Sequence, residues 1–472
     1  MLNYDIITVI CAEISDRHDD RHLVPKDLLS LGLVSKRILE PALDGMWKRI
    51  NSLQPLLSVL PEATLVNGKK QFLQPMSPSW DRLRFYTSRV REFGGDAYVG
   101  NRLDVHDSVY AYLDQGKPIF PRLKMLHLTP PLCSPNSFAL FLGTGLQVVS
   151  WPDSTWGWPE ADPDSDLGPS LALLVSKNPG LKSLTLGQYP FSELSLSLGH
   201  LCTLKILEVN HLVRPEMGFI RAIALLPNLT DLCLTLPTMF LFDYAGVENG
   251  FPSLTKFFLR GSTFDTRKIL AVMRTKILRD LSIDWHVENQ SFLADIVVII
   301  RFLPSIPSLW SLQIEGAALH FLLADINAQL LWSIFEPLLE LKRLELLAYN
   351  VPLPLSDQNT VTLACAWPHL KCFHLYSADE SLAHFAQHCP NLEILSYPIQ
   401  LQTTTPSIMI PPTLSPHPLH TFETQVEGDF DVIHAPAIAL YLYQTFPNLV
   451  HARGSGVGWR LVQKILDSFI IL

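Results

Sequence analysis

The sequence is short of charge, of paired cysteines and of long apolar runs, and each shortage closes a class of function. Charged residues make up 17% of the 472, against about 25% in average soluble proteins, and acids outnumber bases to leave a formal charge of −9. Such a balance gives no overall basic footprint for a polyanion, so no nucleic-acid partner is expected. The 7 cysteines, Cys11, Cys133, Cys202, Cys233, Cys365, Cys372 and Cys389, are odd in number and form no Cys-x-x-Cys pair, which fits a reducing compartment. Apolar runs such as 296–300 fall far below the roughly 18 residues of a membrane span, and residues 1–5 hold no cationic stretch of the secretory kind. The expectation is a soluble protein of the cytoplasm or nucleus, with no membrane partner.

Catalytic signatures are missing too. There is no His-Glu-x-x-His, no Walker loop, no Gly-x-Ser-x-Gly and no Gly-x-Gly-x-x-Gly. "GSGVG" at 454–458 lacks the lysine of a phosphate cradle and reads as a turn, where glycine supplies positive φ. The densest set of metal-type ligands is His369, Cys372, His374, His384, His388 and Cys389. Of these, Cys372 and His374 stand two apart, as on one face of a strand, whereas Cys389 opens the next phrase and is expected to pack inward. Asp280 and Asp284 read as solvated contacts rather than an acid and base pair. No catalytic residue, metal or cofactor is expected, and the chain reads as a non-enzyme.

What the chain has in excess is leucine in a fixed phrase, and proline, at 36 residues. "PGLKSLTL" at 179, "PNLTDLCL" at 227, "PSLTKFFL" at 252, "PSLWSLQI" at 307, "PHLKCFHL" at 368 and "PNLEILSY" at 390 are variants of one another. Anchors of the Leu-x-x-Leu-x-Leu phrase fall at Leu123, Leu146, Leu181, Leu204, Leu229, Leu254, Leu278, Leu309, Leu341, Leu370 and Leu392, with weaker copies at Leu419 and Leu449. Helical stretches such as "FIRAIALLPN" (219–228) lie between them, each ending near a proline. Within a phrase, alternation puts Leu232 and Leu234 on one face of a strand and Asp231 and Cys233 on the other. Each buried leucine is worth roughly 1.5–3 kcal/mol, largely offset by about 1–2 kcal/mol per ordered residue, so a lone unit should not stand while a stack does.

These phrases resemble leucine-rich repeats, and "HCPNLEIL" (388–395) is similar to the opening of the cysteine-containing subtype of F-box proteins. The resemblance implies an α/β solenoid over 121–472, a curved parallel sheet lining its concave side and helices its convex side. Two stretches, 151–170 and 403–418, interrupt the period with Pro, Ser, Thr and acidic residues and read as insert loops. The polar positions alternating with leucine would form the open face. They are His127, Thr129, Glu208, Asn210, Asp231, Lys256, Phe258, Arg260, Asp280, Ser282, Asp284, Gln313, Glu315, Arg343, Glu345, His374 and Tyr376. Phe258, between Lys256 and Arg260, is the aromatic contact candidate.

The first residues obey another rule. Ile6, Ile10 and Ile14 recur every fourth position, Leu28, Leu31 and Val34 every third after Pro25, and Leu39, Leu43, Trp47 and Ile50 follow. This trihelical pattern resembles an F-box: Leu28-Leu29, Val34-Ser35-Lys36 and Met46-Trp47 match its elements, while Leu2-Asn3 stands where the family has Leu-Pro and 15–24 is an insert. It reads as an F-box either divergent or truncated upstream. Residues 1–60 are then an F-box-like helical domain and 61–120 a helical linker or cap. The resemblance implies docking through Leu2, Ile6, Ile10, Leu28, Leu31, Val34 and Trp47 on a Skp-type adaptor bound to a cullin, with a protein target on the repeats. That would make the chain the target-recognition subunit of an SCF-type ubiquitin ligase. The other reading left open is a repeat scaffold whose F-box has decayed and which has no ligase role.

Overall fold

The computed structural model describes residues 4–16, 24–59, 63–66, 69–72, 80–94, 117–128, 138–151, 166–187, 193–210, 216–237, 247, 250–273, 276–286, 292–316, 326–351, 353, 355–375, 382–397, 417–424 and 432–471. The chain divides into two compact units, Met1–Leu229 with Leu241–Asp243, and Thr230–Phe240 with Tyr244–Leu472. Both carry an open parallel sheet whose strands follow chain order, the leucine-rich-repeat solenoid architecture of the α/β class.

The first unit begins with three helices, α1 (Tyr4–Asp16), α2 (Val24–Val34) and α3 (Lys36–Lys48). Ser35 sits in extended backbone and its hydroxyl accepts from the Arg37 N–H, which starts α3 immediately after α2. Ile7, Cys11, Leu28 and Ala42 form the small core of these helices, with Ile14, Leu31, Ile38 and Met46 packed against it. The sheet then runs through Arg49–Ile50, Glu92–Phe93, Met125–His127, Val148–Trp151, Ser183–Leu186 and Ile206–Val209. It therefore starts upstream of the first leucine phrase, at a two-residue strand no sequence phrase marks. Its inner row, Ile50, Phe93, Leu126, Val149, Leu184 and Leu207, is aligned residue to residue and buried throughout. Residues 61–120, expected as helical, hold an antiparallel pair, Ala63–Val66 with Lys69–Phe72, beside the helix Trp80–Thr87.

In the second unit the strands are Asp231–Thr235, Lys256–Ser262, Asp280–His286, Ser311–Glu315, Leu346–Tyr349, Cys372–Leu375, Ile394–Ser396, Thr421–Glu423 and His451–Arg453. The repeated phrase has a second physical cause here besides its leucines. Where its second residue is Asn or Ser, that side chain ties the turn to the one before: Asn391 Nδ2 donates to Pro368 O at 3.0 Å, Asn448 Nδ2 to His417 O at 3.1 Å and Ser308 Oγ to Leu278 O at 2.6 Å. The first unit does the same with Thr203 on Pro179 O at 2.8 Å and Asn228 on Cys202 O at 2.7 Å.

Three details differ from the sequence reading. The repeat placed at Leu341 is anchored at Leu344, because Leu347 and Tyr349 are the buried pair and the strand starts at Leu346. The stretch 151–170 is not all insert: Trp151 ends a strand and is fully buried, and Gly168 already begins the helix Gly168–Lys177. Likewise His417, assigned to the end of the second insert, is buried between turns, its Nε2 2.9 Å from Cys389 O and its Nδ1 accepting the Leu419 N–H at 3.2 Å. The "GSGVG" turn is as read, with Gly456 at φ 102° just before the helix Val457–Ile471.

Candidate functional site

Helix α1 has two apolar stripes and only one can face the core. Ile7, Cys11 and Ile14, spaced 4 and 3 apart, turn inward, so Ile6 at 50% exposure, Ile10 at 41% and Val9 lie outward. The sequence reading grouped Ile14 with Ile6 and Ile10; it belongs to the inner stripe. On α2, Leu28 is wholly buried and spent on the helical core, while Leu29, Leu33 and Val34 are exposed, the last two at 76% and 74%. Leu31 is half-buried against that core. Trp47 is also half-buried, its ring 4.5 Å from that of Tyr86. Leu2 lies outside the described residues. The exposed members of the expected docking set are thus Ile6, Ile10 and Val34, joined by Val9, Leu29 and Leu33, which the every-third and every-fourth counts had passed over.

The open face of the second sheet is built by strand alternation. One row reads Asp231, Lys256, Asp280, Ser311, Leu346, Cys372, Ile394, Thr421, His451, and the next Cys233, Phe258, Ser282, Gln313, Ala348, His374, Ser396, Glu423, Arg453. A third holds Thr235, Arg260, Asp284 and Glu315. Asp231, Lys256, Phe258, Arg260, Asp280, Asp284, Gln313, Glu315 and His374 therefore do share one face, and Phe258 is half-buried among them. Arg343 does not: it sits in the turn before its strand, three residues out of register, and Leu346 takes the place expected of it, as Ala348 takes that of Glu345. Tyr376 lies outside the described residues, as does Thr129. Glu208 and Asn210 belong to the first unit, where Asn210 Nδ2 donates to Glu208 Oε1 at 2.9 Å and the Thr185 hydroxyl to Oε2 at 3.3 Å.

Charges on the second face are already matched to one another. Arg260 Nε lies 3.1 Å from Asp284 Oδ2 and 3.1 Å from His286 Nε2, Lys256 Nζ 3.9 Å from Asp231 Oδ1, and the Trp310 indole donates to Asp280 Oδ1 at 2.7 Å. Trp310, an exposed ring at the edge of this face, was hidden in the sequence by its place beside a leucine anchor. Cys372 Sγ and His374 Nε2 do come together, at 3.0 Å. Burial, then Glu423 and Glu393, push the Cys372 thiol up to about 11, and burial holds the His374 imidazole below its usual range. Cys389 faces the other way, buried, its Sγ 3.4 Å from Ala364 O and its thiol pushed up to about 12 by that burial. No three His, Cys, Asp or Glu side chains among the described residues converge as metal ligands do. None of the described helices is long and apolar enough to cross a membrane.

No protein-family model and no curated protein matches the chain. Among solved structures it is similar to the internalin InlF of Listeria monocytogenes, at 14% identity and a TM-score of 0.33, over 74% of this chain and 80% of that one. It is also similar to a chain of the yeast Rad7 and Elc1 complex, at 15% identity and a TM-score of 0.38, over 71% and 76%. At such identities and scores neither protein bears on what this chain binds or does.

Proposed function

We propose that the chain is a non-catalytic target-recognition subunit of an SCF-type ubiquitin ligase, its N-terminal helices docking a Skp-type adaptor and its repeats holding a protein target. The observation that carries this reading is the outward apolar face of α1 and α2. Ile6, Val9, Ile10, Leu29 and Leu33 are exposed, on the sides of these helices that their own core does not use. Covering side chains of this size is worth roughly 1.5–3 kcal/mol each, and an exposed apolar group beside a helical pair is what a partner helix needs. The F-box resemblance supplies the class of partner. A subunit of this kind does no bond chemistry; it raises the effective concentration of a target lysine near a ubiquitin thioester.

Co-elution of the full chain with a purified Skp-type adaptor tests the proposal. Ile6→Asp with Ile10→Asp should abolish co-elution while leaving the circular dichroism spectrum unchanged, because both side chains already face water. Trp47→Ala is the wrong probe, since losing the ring contact with Tyr86 would disturb the fold as well. An adaptor that never co-elutes with the unsubstituted chain would leave the repeat scaffold with a decayed F-box, the reading that Leu2-Asn3 favours.

A further inference from the structure

In the first unit one edge of the sheet collects positive charge that no stretch of sequence displays. Residues immediately before successive strands are linked by a chain of backbone hydrogen bonds, each 2.8 Å: Arg91 N to Lys48 O, Lys124 N to Arg91 O, Gln147 N to Lys124 O, Lys182 N to Gln147 O and Lys205 N to Lys182 O. Five of these six stacked residues are cationic and none is acidic. With strands about 4.8 Å apart, the ladder extends about 24 Å, the reach of roughly seven extended residues. Lys124, Lys182 and Lys205 are exposed, and Arg122 beside Arg91 adds another guanidinium, close enough to lower the proton affinity of Arg91 beyond the effect of burial. Lys182 leans on a neutral neighbour, its Nζ 3.3 Å from Gln147 Oε1. The nearby Glu92 is held in an ion pair by Arg49 and does not neutralise the ladder.

The next row of the same sheet points outward and reads Arg49, Glu92, Met125, Val148, Ser183 and Ile206, three of them apolar and Ile206 exposed. We propose that this strip, a cationic edge beside Met125, Val148 and Ile206, binds an extended acidic peptide segment carrying apolar side chains. Like charges stacked across strands repel, and an anionic partner relieves that repulsion while the apolar row takes its side chains. A nucleic acid fits less well, because the outward positions of these strands hold no Phe, Tyr or Trp on which bases could stack. The strip binds its partner whether or not the helices dock an adaptor.

Fluorescence anisotropy of the full chain with a labelled peptide of about 12 residues, repeating Glu-Glu-Leu, tests this; the matching Lys-Lys-Leu peptide and an oligo-dT of similar length serve as competitors. Saturable binding of the acidic peptide is expected, weakened about tenfold by raising salt from low to physiological levels and beyond. Lys124→Glu with Lys182→Glu should weaken it at least about tenfold, Lys124→Ala with Lys182→Ala by less, and neither pair should alter adaptor co-elution. Lys256→Glu with Arg279→Glu, in the other unit, should leave it within about twofold. Absence of saturable binding overturns the proposal, as does equal loss from the Lys256 and Arg279 pair; tighter binding of oligo-dT makes the strip a nucleic-acid surface instead.

Discussion

The same edge ladder runs through the second unit with a different cargo of side chains. There it reads Thr230, Thr255, Arg279, Trp310, Glu345, Lys371, Glu393, His420 and Val450, again joined by backbone bonds of 2.7–3.1 Å. Lys371 is clamped by Glu345 at 2.7 Å, and that bond raises its proton affinity. So one ladder carries five cations and no acid among its own positions, while the other alternates in sign. The backbone edge follows from stacking, since each strand must hydrogen-bond the next, but none of its side chains is among those buried in the core. Their identity is free of the repeat, and recognition is free to differ between units that are built alike.

If the inner faces are equivalent while the edges are not, core substitutions should cost the same in either unit. Leu184 lies between Val149 and Leu207, and Leu259 between Leu234 and Ile283, all buried. Leu184→Ala and Leu259→Ala should each destabilise by about 2–5 kcal/mol, read from urea denaturation. A large cost in one unit and a negligible one in the other would break the equivalence, because it would mean that one core closes over the cavity.

Smaller losses are expected where a glycine meets a neighbour. In the first unit Gly94 has φ 79° and a Cβ there would sit 1.9 Å from the carbonyl oxygen of His127; in the second a Cβ on Gly454 would meet the Trp459 ring at 2.4 Å. Gly94→Ala should cost more than Gly454→Ala, the latter about 1–3 kcal/mol, because a backbone oxygen yields less than a ring. Thermal midpoints of the two variants give the order directly.

Acid should distinguish the units more gently. Burial holds His127 in the first unit, and His374 and His417 in the second, below the usual imidazole range. A base whose proton affinity is lowered by folding is favoured neutral in the folded state, so its contribution is complete above the unfolded value of about 6.5 and is lost as the pH falls through that value toward the folded one. His417 makes this concrete: its Nδ1 accepts the Leu419 N–H while Nε2 donates to Cys389 O, an arrangement only the neutral ring can satisfy. The urea midpoint should drop between pH 7 and pH 5, and His417→Gln, which can both donate and accept, should flatten that drop.

The repeat was legible because its phrase restates one physical need in each copy, leucines that must be shared between neighbouring turns. What escaped was whatever the phrase does not constrain. Leu341 and Leu344 both begin acceptable Leu-rich phrases, and the strand register, with Leu347 and Tyr349 buried, decides for Leu344. Helix α1 carries two overlapping apolar stripes, and period alone does not say that Ile7 rather than Ile6 turns inward. The strands Arg49–Ile50 and Glu92–Phe93 are two residues long, too short for any alternation to register. The cationic edge was illegible for a related reason: Lys48, Arg91, Lys124, Lys182 and Lys205 are 23 to 58 residues apart in a chain of net negative charge, and they become neighbours only once strand register is known.

The smallest expected effect asks whether charge alone separates the two edges. In the second unit the row beside the ladder also offers apolar side chains, Leu346 and Ile394, half-buried and outward. Glu345→Lys with Glu393→Lys would place three lysines in succession around Lys371 and remove the ion pair that now quenches it. Exposed charges contribute weakly one by one, so in a chain that already carries Lys124→Glu and Lys182→Glu the added pair should tighten binding of the acidic peptide only a few-fold relative to that background. No gain in that background would mean that the first edge recognises its partner through the geometry of Met125, Val148 and Ile206 rather than through its cations.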